Sequence, residues 1–188
     1  MNGKSDNELM IELQNGHTRA LDILIDRWEM RIRSFVYRYT QDVSWTDELV
    51  QETFVKIYQN ASKFDTSRKF SPWIFTIATN ICRNLHRWKK RRVGLDQSID
   101  DSDLPLNIED TSAATPFVDA QKAEQEQQVR KAIMSLSEHY QTAVILHYYQ
   151  GMSYEDIAEV LKCSVRGVET RLYRARKTLK QKLSAIPV

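Results

Sequence analysis

The chain has 188 residues, 41% of them hydrophobic and 28% charged, with a formal net charge of +2. That is enough material for one large packed domain or two small ones. No apolar run approaches the roughly 20 residues that cross a bilayer, no signal-peptide core follows Met1, and Cys82 and Cys163 form no CxxC pair, so a membrane-spanning, secreted or disulfide-built protein is not expected and a cytoplasmic location is.

Glycine (5) and proline (4) are scarce, and the stretches between them repeat at helical rather than alternating spacing, which predicts an all-α protein. Ser5 followed by Glu8 is a capping-box pattern that opens a short helix ending near Gly16. A longer helix follows, with Leu21, Leu24, Ile25, Trp28, Ile32, Phe35, Val36 and Tyr39 on its buried face. Ser44 is the expected cap of a third helix, which buries Val50, Phe54, Ile57 and Ala61. After a polar loop from Ser62 to Phe70, Ser71 and Pro72 suit the N-cap and first position of a helix running to about Arg92.

Residues 93–121 contain seven acids and no Lys or Arg, with Pro105 and Pro116 and no helical period. This predicts an acidic flexible linker between an N-terminal domain, 1–92, and a C-terminal domain, 122–188. In the second domain one helix leads through Val129, Ile133 and Met134 to Leu136, and another through Ala143, Val144, Leu146 and Tyr148 stops at Gly151. Ser153 caps a short helix with Ile157, Val160 and Leu161, Lys162 to Ser164 form a tight turn, and a last helix runs from Val165 to about Leu183. Short helix, three-residue turn and longer helix are the dimensions of a helix-turn-helix.

Two helices divide their surfaces between core and polar work. At about 100° per residue, Val168, Leu172, Ala175 and Leu179 share the core face of the last helix, while Arg166, Thr170, Tyr173 and Lys177 lie opposite with Arg174 beside them. Arg, Thr and Lys suit guanine edges, thymine methyls and phosphates in a major groove. Arg171 flanks the core stripe and suits a backbone phosphate, as does Ser164 at the helix N-terminus. In the helix from Ser71, Ile74, Ile77, Ile81, Leu85 and Trp88 form the buried stripe, and Trp73, Thr76, Asn80, Asn84, Arg87 and Arg91 line another side with Arg83 at its edge. Such a face suits bases pulled out of a duplex. Phe64, Arg68, Lys69 and Phe70 in the preceding loop are candidates to wall a pocket for an extruded base, although Phe70 and Trp73 equally suit the core.

The segment from Asp47 to Phe54, then Lys63-Phe64 and Phe70 to Asn80, resembles the core of extracytoplasmic-function (ECF) sigma factors of the sigma-70 family. Leu136-Ser137, Gly151 to Ala158 and Arg171 to Arg176 resemble their C-terminal domain. The resemblance implies a sigma factor that binds core RNA polymerase and directs promoter-specific initiation. Glu48, Gln51 and Glu52 would meet the clamp coiled coil of the β′ subunit, with the β subunit also in contact with the chain. The loop at Phe64 and the helix through Asn80 would melt and read the −10 element, and the last helix would read the −35 element as duplex. An acidic linker would thread the polymerase cleft, and an anti-sigma factor, often membrane-anchored, would be a further partner. The sequence departs from the usual reading-helix pattern at Arg166-Gly167-Val168-Glu169, where Glu169 can accept from cytosine N4.

No catalytic constellation, P-loop or metal-ligand spacing is present, so neither an enzyme, nor a metal, nor a cofactor, nor a small-molecule substrate is expected. Two other readings stay open on the residues alone. One is a stand-alone helix-turn-helix regulator and the other a non-DNA adaptor, for which Arg166, Tyr173 and Arg174 would be dispensable.

Overall fold

The computed structural model describes residues 3–95 and 116–184, and every regular element among them is helical. The elements are α1 (Asp6–Gln14), α2 (Arg19–Thr40), α3 (Val43–Gln59), a 3-10 turn (Ala61–Lys63), α4 (Phe70–Leu95), α5 (Pro116–Met134), α6 (Glu138–Val144) continued by a π turn (Ile145–Tyr149), α7 (Tyr154–Leu161) and α8 (Val165–Ser184). They form two helical groups, α1–α4 and α5–α8.

Local chemistry sets most boundaries. The Ser5 hydroxyl accepts from the Glu8 N–H (3.3 Å) and the Glu8 carboxylate accepts from the Ser5 N–H (2.6 Å), a reciprocal cap for α1. Those bonds, the backbone one first, hold the Glu8 carboxyl below the usual carboxylate range. Gly16, with φ of +88°, then turns the chain as only glycine does without strain. The expected cap at Ser44 is corrected to Asp42, whose carboxylate accepts from Trp45 N (3.1 Å). Gln41 has already reversed the chain in the left-handed region at φ 52°, so α3 starts two residues earlier. α4 likewise begins at Phe70, which puts Pro72 in the first turn, where its missing N–H has no intrahelical acceptor to lose.

Helix enters both ends of the predicted linker. α4 continues to Leu95 and α5 begins at Pro116, so the ends of the 93–121 stretch are helical, while 96–115 lie outside the described residues. The α6 helix widens into a π turn closed by Gln150 N to Ile145 O (3.2 Å) and ends at Gly151, φ +66°.

In the N-terminal group Phe75 sits among aromatic edges, 5.4 Å from Phe35 and 6.1 Å from Trp28 between ring centres. Leu24, Ile32, Val36, Ile57 and Ile74 close the core around them. Two residues of the expected α2 stripe, Leu21 and Ile25, are only half-buried. In the C-terminal group Val168, Leu172 and Ala175 of α8 are fully buried with Ile157 and Leu146. Ser153 caps α7 by accepting from Asp156 N (3.1 Å), and Lys162 (φ 50°) makes the turn into α8. The helix-turn-helix expected from spacing is therefore formed.

Candidate nucleic-acid interface

On α8 the sequence-predicted residues fall into place around a hollow. Ser164, Arg166, Thr170, Arg171 and Arg174 line a cavity of about 540 Å³ together with Ser137, His139 and Tyr140 from the start of α6. Arg166, Glu169, Thr170, Tyr173, Arg174 and Lys177 are exposed. The Thr170 hydroxyl donates to Arg166 O (2.9 Å), which turns its polar atom to its own helix and leaves the methyl for outside contact. Arg171 differs from the rest: its guanidinium donates to Cys163 Sγ (2.9 Å), a tether across the turn. Ser164 Oγ accepts from Gly167 N (3.1 Å), so it serves the helix terminus itself. The α6 residues of this hollow were not foreseen. Nothing local marks His139, because the approach of α6 to α8 is a tertiary event.

The loop before α4 is built from α1. Asn7 Nδ2 donates to Thr66 O (2.8 Å) and Arg68 O (2.7 Å), and Gln14 Nε2 donates to Ala61 O and Phe64 O (both 2.9 Å). Two side-chain amides thus stand in for a strand partner and hold an irregular segment in one shape. Asp65 accepts from the Ser67 hydroxyl (2.7 Å) and N–H (3.0 Å), and these bonds lower its pKa. The pattern of Asn7 and Gln14, one face of α1, was legible but went unread.

The pocket expected from Phe64 and Phe70 is not open here. Both rings are buried, at 4% and 2% exposure, and pack on each other and on Trp73 at centroid distances of 4.9–5.8 Å. They are a base for the loop, because two large rings beside Trp28 stabilise more by joining the core than by facing water. Thr76 donates to Pro72 O (2.8 Å). Asn80, Asn84 and Arg87 are exposed along α4.

The remaining cations of this set are engaged by the other helical group. Arg68 Nη1 lies 3.2 Å from Glu159 Oε1, and Lys69 Nζ 2.9 Å from Asp156 Oδ1. The Asp156 hydrogen bond is the main cause that raises the Lys69 pKa. Arg83 Nε lies 2.5 Å from Glu138 Oε1 without an aligned hydrogen bond, an ion pair held by charge and proximity. Elsewhere along the seam Arg31 donates to Gln150 O (3.1 Å), Gln141 donates to Tyr39 O (3.3 Å), and the Arg38 guanidinium lies 4.0 Å over the Tyr149 ring. Burial first, and the Glu138 charge second, push the Tyr39 hydroxyl pKa up.

On α3, Glu48, Gln51 and Glu52 are exposed, as the helical phase requires. Beside them runs a groove of about 560 Å³ with Leu21, Ile25, Val50, Phe54, Val55 and Tyr58 on its walls and Gln51 on its rim. Arg33 marks one end, bonded to Asp47 and to Glu29 (3.1 Å), and these partners raise its pKa. The half-burial of Leu21 and Ile25 has its reason in this groove. Among the described residues no group of three His, Cys, Asp or Glu side chains could hold a metal, and no helix is long and apolar enough to cross a membrane.

Among the described residues every regular element is helical, and a helix-turn-helix in one group with a second polar helix face in the other is an arrangement suited to DNA binding. The family described as Sigma-70 region 2 matches residues 24–92, and that described as Sigma-70, region 4 matches residues 126–179. The chain is 30% identical over 188 residues to the ECF RNA polymerase sigma-E factor of Haemophilus influenzae, covering 97% of each protein. Its fold is similar to CnrH in complex with the cytosolic domain of CnrY, with a TM-score of 0.73 and 25% identity, covering 98% of this chain and 100% of that one. It also matches the sigma factor RpoE of Bartonella quintana, solved with the anti-sigma factor NepR, with a TM-score of 0.68 and 22% identity over 88% of this chain and 98% of that one. The chain belongs to the ECF subfamily of sigma-70 family sigma factors: it is a transcription initiation factor and not an enzyme.

Proposed function

We propose that the chain reads promoters with two separate faces while the outer face of α3 holds core RNA polymerase. α8 reads the −35 element as duplex, with Arg166, Glu169, Thr170, Tyr173 and Arg174 toward base edges and Lys177, with Arg171 once it leaves Cys163, toward phosphates. α4 reads the −10 element as a melted strand through Asn80, Asn84 and Arg87, with Trp73 and Thr76 at the start of the face and Arg68, Lys69 and Arg83 as its cations. Glu48, Gln51 and Glu52 meet the polymerase β′ clamp. The domains follow the helical groups, α1–α4 for polymerase and −10 strand and α5–α8 for −35 duplex.

The observation that carries this reading is the exposure of three unlike surfaces on one chain: a basic groove-facing helix, a polar amide-and-arginine helix, and an acidic patch on α3. Binding without covalent chemistry suffices, because captured bases offset the few kcal/mol of unstacking. An anti-sigma partner is supported by the neighbours CnrH and RpoE, each solved with a second protein.

The test is runoff transcription with bacterial core polymerase on a library of promoter fragments. Specific starts only in the presence of this protein are expected, and Glu48→Lys with Glu52→Lys should abolish them while duplex binding by α8 persists. Tight operator binding by the chain alone, with no stimulation of polymerase, would move the assignment to a stand-alone helix-turn-helix regulator.

A further inference from the structure

The loop that leads into α4 takes its shape from α1. Four of its carbonyls accept from two side-chain amides at 2.7–2.9 Å: Gln14 Nε2 serves Ala61 and Phe64, and Asn7 Nδ2 serves Thr66 and Arg68. Seven residues separate Asn7 from Gln14, so the two lie on one face of α1, two turns or about 10 Å apart. The loop runs along that face in the opposite direction, its start held by Gln14 and its finish by Asn7. Each amide nitrogen offers two protons in a fixed fork and meets two oxygens, which a hydroxyl or an ionised carboxylate cannot do. The template is itself pinned. Asp6 accepts from Arg27 Nη1 (3.0 Å) and Trp28 Nε1 (3.1 Å), and Leu9, Met10 and Leu13 are buried in the core.

We propose that Asn7 and Gln14 are positioning residues for the −10 element: without touching the strand, they fix the loop on which the choice of bases depends. This rests on the assignment of α4 and its loop to the melted strand.

The amides do more here than the fold demands. Gln14 is exposed and Asn7 half-buried, so water can satisfy the same carbonyls in their place. What water cannot supply is one fixed geometry. Without the amides the loop still closes, because Phe64 and Phe70 stay in the core at either side of it. The segment between those rings is then free to sample several arrangements. That segment carries the exposed side chains of Asp65 and Ser67, with Lys63 just before it. A hydrogen bond to a base weakens steeply when its angle is lost, so choice between bases suffers before general affinity does. The end of the loop is tied to the same helix terminus, since Phe70 packs on Trp28 (5.5 Å), and Trp28 donates to Asp6.

The experiment uses the full chain with bacterial core polymerase in runoff transcription on promoter fragments randomised at the −10 and −35 elements, with sequencing of the templates used. Two amide variants are compared with wild type: Asn7→Ala/Gln14→Ala, and Asn7→Asp/Gln14→Glu, which keeps the size but aims oxygen at oxygen. Ile32→Val, a change in the core of α2, serves as the control for lost stability. Both amide variants should still initiate, with the preference for favoured −10 bases reduced about threefold to tenfold, the loss expected when one hydrogen bond is no longer aligned. Their −35 preference should keep its wild-type value, and Ile32→Val should keep both preferences. An unchanged −10 preference in the amide variants overturns the inference and leaves the α4 reader intact. So does a parallel loss at both elements, a loss that Ile32→Val reproduces, or an end to all initiation, since the amides would then serve the fold alone. If wild type itself shows no −10 preference, the strand-reading role of α4 fails and takes the inference with it.

Discussion

α8 and α4 are built on one plan and meet different fates. Each splits its circumference between an apolar stripe and a polar face; the centre of each stripe is buried, Ile77 and Leu179 are half-buried, and Trp88, expected in the α4 stripe, is 39% exposed. On α8 the polar face is left to solvent, with Tyr173 65% exposed beside Arg174. On α4 and its loop, Arg68, Lys69 and Arg83 are taken by carboxylates of α6 and α7. The helix pattern alone decides which residues cannot be in the core. What the remaining face touches depends on the rest of the chain, and among the described residues carboxylates of α6 and α7 pair with cations of the α4 region while Arg166, Arg174 and Lys177 of α8 stay exposed.

The largest test of this contrast breaks each core separately. Phe75 is fully buried against Phe35 and Trp28, and Leu172 is fully buried in the α8 stripe. Phe75→Ala should cost about 3–5 kcal/mol and Leu172→Ala about 2–5 kcal/mol. All four tryptophans, at 28, 45, 73 and 88, belong to the α1–α4 group. In urea unfolding, tryptophan emission should therefore shift with Phe75→Ala, and Leu172→Ala should act mainly on the far-ultraviolet dichroism. Equal displacement of both signals by both variants would mean that the seam couples the groups into one cooperative unit.

A smaller test addresses the role proposed for α8. Arg174→Ala should weaken duplex promoter binding by about 1–3 kcal/mol if the guanidinium reads a base, and the loss should depend on sequence. If it serves only phosphate, the loss should be uniform across sequences and the salt slope should fall by about one unit. Gel-shift titration on matched and scrambled −35 fragments separates the two, and tryptophan emission should stay as in wild type.

These contrasts also mark where sequence reading reached and where it stopped. The all-α class, the buried stripes of α3 and α8, the Ser153 cap and the turn at Lys162 follow from periodicity and capping chemistry, which act over a few residues. The cap of α3 was displaced because Gln41 adopts a left-handed backbone that no composition signal announces. Phe70 and Trp73 looked equally suited to a base or a core, and for Phe70 the approach of Trp28 from α2 and of Phe64 from the loop decides it. His139 in the α8 hollow and the α7 carboxylates on the α4 loop join residues more than 25 positions apart. No local pattern encodes such pairings.

A cap offers a test of about 1 kcal/mol. Ser153 accepts from Asp156 N at the start of α7, the helix that both supports α8 and carries the seam carboxylates. Ser153→Ala should destabilise by about 1 kcal/mol in chemical unfolding. Ser5→Ala removes a cap of the same kind from α1, far along the chain from α8. Only the first should also loosen duplex binding, since α7 packs closely against α8. Equal effects on duplex binding would mean that α1 and its loop reach the C-terminal group more strongly than the seam contacts imply.

The smallest effect is alkaline and belongs to the α1–α4 group. Burial pushes the Cys82 thiol above its ordinary value of 9.0, and burial with the Glu138 charge pushes the Tyr39 hydroxyl above 10.0. Each group then keeps its proton in the folded chain at a pH where the unfolded chain releases it. Stability from this source is complete below the unfolded values and falls as pH rises through them. At pH 9 half of the unfolded thiols are ionised, a loss of about 0.4 kcal/mol from Cys82, and Tyr39 adds to it from about pH 10 upward. Cys82→Ala removes the first contribution and keeps the second. Its stability, followed by tryptophan emission in urea, should be flatter than wild type between about pH 8 and 9.5 and then decline in parallel with it.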